Sequence, residues 1–173
     1  RSGGAVTLKG TVSPMPLAFL KAIWPAFMAN GTREWIGSNV PSGEITGGSL
    51  SAQLSAADIA EFDNGGDLPD TAVKARLGVS GATIYHIKGL PPIITKDSTL
   101  SINGRRFVYD IPADARIEVP SGRSISFSEG QFLVDDIRPE FPDGEIRFKG
   151  TGDVGGVLEL IDQPPLNYVK AVG

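Results

Sequence analysis

Thr99–Ile111 reads TLSINGRRFVYDI. Leu100 and Ile102 alternate with polar neighbours, Asn103-Gly104 interrupts, and Phe107, Tyr109 and Ile111 resume the alternation beyond it. Alternation with period two is the mark of a half-buried strand. Asn-Gly between two such runs supplies the positive φ angles of a type I′ turn, so the stretch predicts a β-hairpin. The same pattern continues downstream in Ile117 and Val119, Ile125 and Phe127, Phe132 and Val134, and Ile146 and Phe148. Strands are therefore expected at Arg116–Val119, Ser124–Phe127, Gln131–Ile137 and Glu145–Lys149, separated by Pro, Gly, Ser or Asp clusters. Short strands at such close spacing belong to an antiparallel meander rather than to βαβ units. Upstream, Val73–Ile87 reads as one long or bent strand broken at Gly78 and Gly81. Glu44–Ser55 reads as a strand with a bulge at Gly47-Gly48, and Ala5–Val12 as a further half-buried strand. Ala56–Phe62 suits a single helical turn.

The exception to the β pattern is Pro14–Gly43, which carries both tryptophans. Leu17–Met28 is almost unbroken apolar sequence, with Lys21 its only charge, and reads as a helix. Asn30-Gly31-Thr32 is expected to break it, since Gly31 tolerates a helix C-terminus and Asn30 or Thr32 can cap a new start. A short second helix with Trp35 and Ile36 on one side follows, until Pro41 and Gly43 stop it. The fold class expected is mainly β (α+β): a curved antiparallel sheet of short strands, an apolar helical element near the N-terminus and a short helix near the C-terminus. One helical plug is too small to cover the apolar face of six strands. Either the sheet closes on itself as a sandwich or barrel, the default on these residues alone, or a face stays open for an apolar ligand.

The chain has 173 residues, 40% apolar and 21% charged, which suits one domain with a core of its own. A net charge of −4 without a basic stripe argues against a nucleic-acid partner. The absence of cysteine removes disulfides, thiolate metal sites and cysteine nucleophiles. Leu17–Met28 is shorter than the roughly 20 residues a bilayer requires. The beginning, RSGGAVTLKG, has the look of a piece excised from a longer chain. Lys9-Gly10-Thr11 also recurs as Lys149-Gly150-Thr151. In that register Leu17 falls on Val157, Leu20 on Leu160 and Pro25 on Pro165, as if the chain were one unit of a repeat array whose next unit starts near Lys149.

No catalytic, cofactor-binding or metal-ligating residues are nominated. His86 is the only histidine, it sits in the strand-like run Thr83–Ile87, and no serine lies in a Gly-x-Ser-x-Gly elbow. Asp135-Asp136, with Glu140, Asp143 and Glu145, matches no EF-hand spacing and reads as an acidic rim. Gly152–Gly156 precedes a helix but lacks a P-loop lysine, and Asp153 would repel an anion. The candidate residues are instead the apolar side of the sheet: Ile102, Phe107, Tyr109, Ile117, Ile125, Phe127, Phe132, Val134, Ile146 and Phe148.

Three segments together resemble the AsmA-like superfamily, in particular the domain typical of YhdP-type and TamB-type proteins of Gram-negative envelopes: Trp24–Gly48, Ile87–Ile93 and Gly156–Gly173. The shared features are Arg33/Trp35/Ile36, Asn39/Val40/Pro41/Gly43, Leu90/Pro91/Pro92 and Pro164/Pro165/Leu166. The resemblance covers essentially the whole chain, residues 1–173, as a single β-groove segment. It implies a strongly curved antiparallel sheet with an apolar groove, in a non-enzymatic bridge-like lipid transfer protein. Such proteins carry phospholipid between inner and outer membrane, in the periplasm, anchored in the inner membrane by a segment outside this chain. Phospholipid, neighbouring repeats of the same chain and other envelope proteins are the partners implied, and no cofactor. Two readings stand beside it: an envelope-assembly module that binds outer-membrane proteins by strand addition at an exposed edge, and a hydrolase working through His86.

Overall fold

The computed structural model describes residues 4–23, 30–67, 69–139 and 142–168. It is mainly β, with one curved, unclosed antiparallel sheet of eight strands and four helices. The strands are β1 (Val6–Val12), β2 (Met15–Pro16), β3 (Ser42–Leu54), β4 (Val73–Ile84), β5 (Ile93–Asn103), β6 (Arg106–Glu118), β7 (Ser124–Val134) and β8 (Glu145–Gly152). From β3 to β8 each strand lies beside its predecessor, and β1 and the short β2 both pair with β3. The open sheet answers the choice left by the sequence: the strands do not close into a barrel or a sandwich.

The hairpin that decides the fold is present, but its corner sits one residue later than expected. Asn103 still pairs with Arg106, and Ile102 with Phe107. Gly104 and Arg105 make the turn, with φ +60° at Gly104 and no positive φ at Asn103. A glycine at the first central position is the type II′ arrangement rather than type I′. The physical reason is packing. The Gly104 N–H donates to the Val73 carbonyl at 2.8 Å, and a Cβ there would run into the Asp70 carbonyl.

Several stretches read as separate strands are two arms of one bent strand. β6 runs unbroken through Pro112 and Asp114, with a register shift between Ile111 and Ala115. β7 runs on past Glu129, with a shift between Ser128 and Gln131. Further shifts fall at Asp97/Thr99 and around Thr46. Positive φ angles at Gly81, Asp114 and Glu129 mark the same band on three strands. A bulge bends its strand and steepens the local twist, so a line of them across neighbouring strands folds the sheet along one crease.

Paired residues of an antiparallel sheet share a face. One row runs Val12–Gly48–Leu77–Leu100–Tyr109–Phe132–Ile146 from edge to edge, and beside it runs Gly10–Leu50–Ala75–Ile102–Phe107–Val134. This concave face carries the apolar residues, while Lys9, Lys74, Arg116 and Glu118 belong to the alternate, convex rows. Among the described residues four helices accompany the sheet: α1 (Leu17–Ile23), α2 (Asn30–Asn39), α3 (Ala56–Asp63) and α4 (Val154–Ile161). The corner expected at Asn30–Thr32 is the first turn of α2, and the continuation of α1 to Met28 lies outside the described residues. α1 and α2 seat Leu17, Ile36 and Val40 on the concave face over Ile45, Leu77, Leu100 and Phe107, the main core. Lys21 reaches back to donate to the Val40 carbonyl, which ties the two helices together. A second, smaller core of Ile117, Val119 and Ile125 lies beyond the crease, with Leu160 of α4 packed against it. α3 is a surface helix held by a capping box between Ser55 and Asp58.

Candidate functional site

The two helical covers leave a gap. Between α2 on one side and α4 on the other lies an apolar cavity of 420 Å³ on the concave face. Its floor is the β5–β8 part of the sheet, its near wall is Trp35 of α2, and its far wall is Val157, Leu160 and Ile161 of α4. The end away from the crease is closed by the loop after β4, where Leu90 is buried. That loop fits tightly under the Pro164-Pro165 segment: a Cβ on Gly89 would come within 2.9 Å of the Pro164 carbonyl oxygen. Leu90-Pro91-Pro92 and Pro164-Pro165-Leu166, far apart in sequence, therefore form one closure.

The ten residues nominated from alternation all lie on the concave side, but not all reach the cavity. Tyr109, Ile117, Ile125, Phe127 and Phe132 line its floor, and Ile146 and Phe148 line its rim on β8. Ile102, Phe107 and Val134 sit instead in the closed core beneath the helices, at 4%, 1% and 5% exposure. The border between the two zones is aromatic. Trp35 stacks on Phe132 at 5.0 Å between ring centroids, and Phe107 meets Phe132 edge-on at 6.1 Å. Toward the edge, Phe127 and Phe148 form another edge-to-face pair at 5.2 Å. β8 itself is uncovered, with Ile146 45% and Phe148 60% exposed. The cavity thus opens toward the β8 edge and is shut by Trp35 and Phe132 toward the core.

Sequence reasoning missed Trp35, Ile84, Leu90 and Ile93, and the α4 residues, as wall residues. Their apolar character was visible, but only the path of the chain brings α2, α4 and the loop after β4 around one cavity.

His86 also differs from expectation. β4 ends at Ile84, so His86 stands on the loop and lines the cavity end. Burial holds its imidazole below the ordinary value of 6.5, opposed by a hydrogen bond to the Ile84 backbone, and its Nδ1 is buried without a partner among the described residues. The Tyr109 hydroxyl is pushed above its ordinary value by burial and lies 2.7 Å from Ser98 Oγ, which in turn donates to the Val79 carbonyl. At the suspected acidic rim, Asp136 pairs with Arg138, whose guanidinium holds the carboxyl down to about 2, and Arg138 also reaches Asp67. The first turn of α4 is filled by its own cap: Asp153 accepts from the Gly156 N–H. α4 is held to the β6–β7 turn by Glu159, which accepts from the Ser121 backbone and hydroxyl, and by Arg123, which pairs with Asp153 and Glu159.

Comparison with protein-family models, curated proteins and solved structures finds no match.

Proposed function

We propose that this chain is a segment of a bridge-like lipid transfer protein, carrying phospholipid in an apolar β-groove through the periplasm of a Gram-negative envelope. The observation that carries the reading is the 420 Å³ cavity, walled by aliphatic and aromatic side chains and open at a sheet edge that is itself apolar. Its size suits an acyl chain. At roughly 30 Å³ per water-sized group, the volume corresponds to on the order of 14 methylenes, one chain rather than two. Each buried methylene contributes about 0.8 kcal/mol, so one chain has a gross drive on the order of 10 kcal/mol before ordering costs. The second chain of a diacyl lipid would lie along Ile146 and Phe148, with the head group in water beyond β8. Contacts of this kind are strong in sum and unspecific in direction, which is what a carrier surface requires.

The role proposed is binding and passage, not catalysis. His86 lines an apolar wall, and among the described residues no nucleophile or carboxylate stands hydrogen-bonded to it. Replacing it with alanine should leave the cellular role intact, and complete loss with the fold preserved would favour the hydrolase reading instead.

The experiment is extraction of the purified chain and mass spectrometry of what it carried. Phospholipid at about one molecule per chain is expected. A chain that emerges empty from a lipid-replete host, and takes up none from vesicles, refutes the proposal.

A further inference from the structure

At the β1 end of the sheet, β1 (Val6–Val12), residues 47–54 of β3 and residues 73–77 of β4 lie side by side. None of these segments contains a carboxylate, although Asp and Glu outnumber Lys and Arg by 20 to 16 in the whole chain. Their alternation sends the apolar and glycine positions to the concave face. The convex face receives Lys9 and Thr11 from β1, Ser49 and Ser51 from β3, and Lys74 and Arg76 from β4. Register aligns them in two rows, Lys9–Ser51–Lys74 and Thr11–Ser49–Arg76. Two adjoining hollows of 210 and 260 Å³ lie over these rows, and Lys9, Ser51 and Lys74 line both.

The charges on this patch are uncompensated. Arg105, Arg106, Arg116, Arg123, Arg138 and Arg147 each face a carboxylate, and Lys149 faces Glu129. Among the described residues no carboxylate lies within ion-pair distance of Lys9, Lys74 or Arg76. Asp70, the acid nearest to Lys74 in sequence, is held by Arg105 at 3.1 Å. Lys9 and Lys74 flank Ser51 from either side, two strand spacings or roughly 10 Å apart. Extended lysine side chains span that gap onto one anion above the Ser51 hydroxyl, which donates a further hydrogen bond. Arg76 stands one pleat along β4 and offers its guanidinium N–H groups from the second hollow. Like charges around one hollow repel until an anion enters between them, and phosphate oxygens accept from ammonium, guanidinium and hydroxyl alike. At roughly 30 Å³ per water-sized group, the five heavy atoms of a phosphate need about 150 Å³, so either hollow admits one. We propose that Lys9, Ser51, Lys74 and Arg76 form an anion site for a phosphate group, which a soluble phosphate ester or a phospholipid head group presents alike. The site lies on the face opposite the groove and stands whatever the groove carries.

The test follows backbone amides by nitrogen–proton NMR while inorganic phosphate is added at constant ionic strength. Saturable shifts in the millimolar range are expected at Lys9, Ser51, Lys74 and Arg76, and none when chloride replaces phosphate. Lys74→Gln should weaken binding about tenfold, the loss of one charge-assisted hydrogen bond. Combining it with Lys9→Gln and Arg76→Gln should abolish binding; all three positions are exposed, so the variants keep the fold. Lys96→Gln, at an exposed lysine of β5, should change nothing. Phosphatidylglycerol vesicles then separate the two sources. Flotation of the parent but not of the triple variant assigns the anion to a lipid head group, and equal behaviour of the two assigns it to a soluble phosphate ester. Shifts that do not saturate, that chloride reproduces or that survive in the triple variant overturn the proposal.

Discussion

Phe107, Phe127 and Phe148 carry the same side chain on the same face of the sheet, at 1%, intermediate and 60% exposure. Their positions separate packing from carriage. Phe107→Ala removes a ring from the closed core and should cost about 3–5 kcal/mol, read by urea denaturation. Phe148→Glu places its carboxylate in water at the rim and should cost about 1 kcal/mol or less, yet leave the purified protein without lipid. Phe132 belongs with Phe107 rather than with the rim, because Trp35 stacks upon it. A charge at Phe132 should therefore unfold the border instead of only emptying the groove. His86 gives a pH signature. Its folded-state value lies below 6.5 because burial disfavours the imidazolium, so the unfolded chain binds the proton more readily. The full stability is present above pH 6.5 and is lost progressively as pH falls toward the lowered folded value. His86→Gln should flatten this part of the profile, seen as urea midpoints at pH 8 and pH 5.5 that differ less than in the parent.

At the scale of elements, two small devices hold the groove in shape. The β5–β6 turn admits only glycine at position 104, through both its positive φ and the Asp70 carbonyl against it. Gly104→Ala should lose several kcal/mol and lower the thermal midpoint, although the residue touches no apolar core. α4 is a wall of the cavity held to the β6–β7 turn by exposed polar contacts, with Glu159 kept below the ordinary carboxylate range by its bonds from Ser121. Glu159→Gln should weaken this attachment. The expected outcome is faster amide exchange across Val154–Ile161 and faster lipid release, with the β-sheet amides unchanged. Slower or unchanged release would mean that α4 is no part of the gate.

For the whole molecule, the proposed lipid carriage predicts that bound lipid adds to the fold's stability. A ligand that binds the folded state alone raises stability by mass action. The delipidated chain should therefore melt at a lower temperature than the chain as purified, and phospholipid vesicles should restore the difference. Phe148→Glu should melt as the delipidated parent does, with or without vesicles. The comparison reads the groove through stability rather than through transport, so it needs no partner membrane.

The hairpins, the antiparallel order and the apolar face were legible in the sequence, because side-chain alternation is a local property set by the pleat. Leu100, Ile102, Phe107 and Tyr109 announce their face within a few residues, and Gly-Gly-x-Leu-x-Ala-x-Leu does the same in β3. So were a helical turn at Ala56–Phe62, which proves to be the two-turn α3, and the apolar character of Val157 and Leu160. Alternation could not show how far a strand continues through a bulge, so the two arms of β6 and of β7 read as separate strands. Nor could it tell core from groove: Phe107 and Phe148 obey one pattern, and only the placement of α1 and α2 buries the first and leaves the second bare. The corner at Gly104, the loop that carries His86, and the closure of Leu90 under Pro164 all depend on contacts between residues distant along the chain. Those contacts arise when the sheet creases and the helices settle on its concave side, and that event is decided by tertiary packing alone.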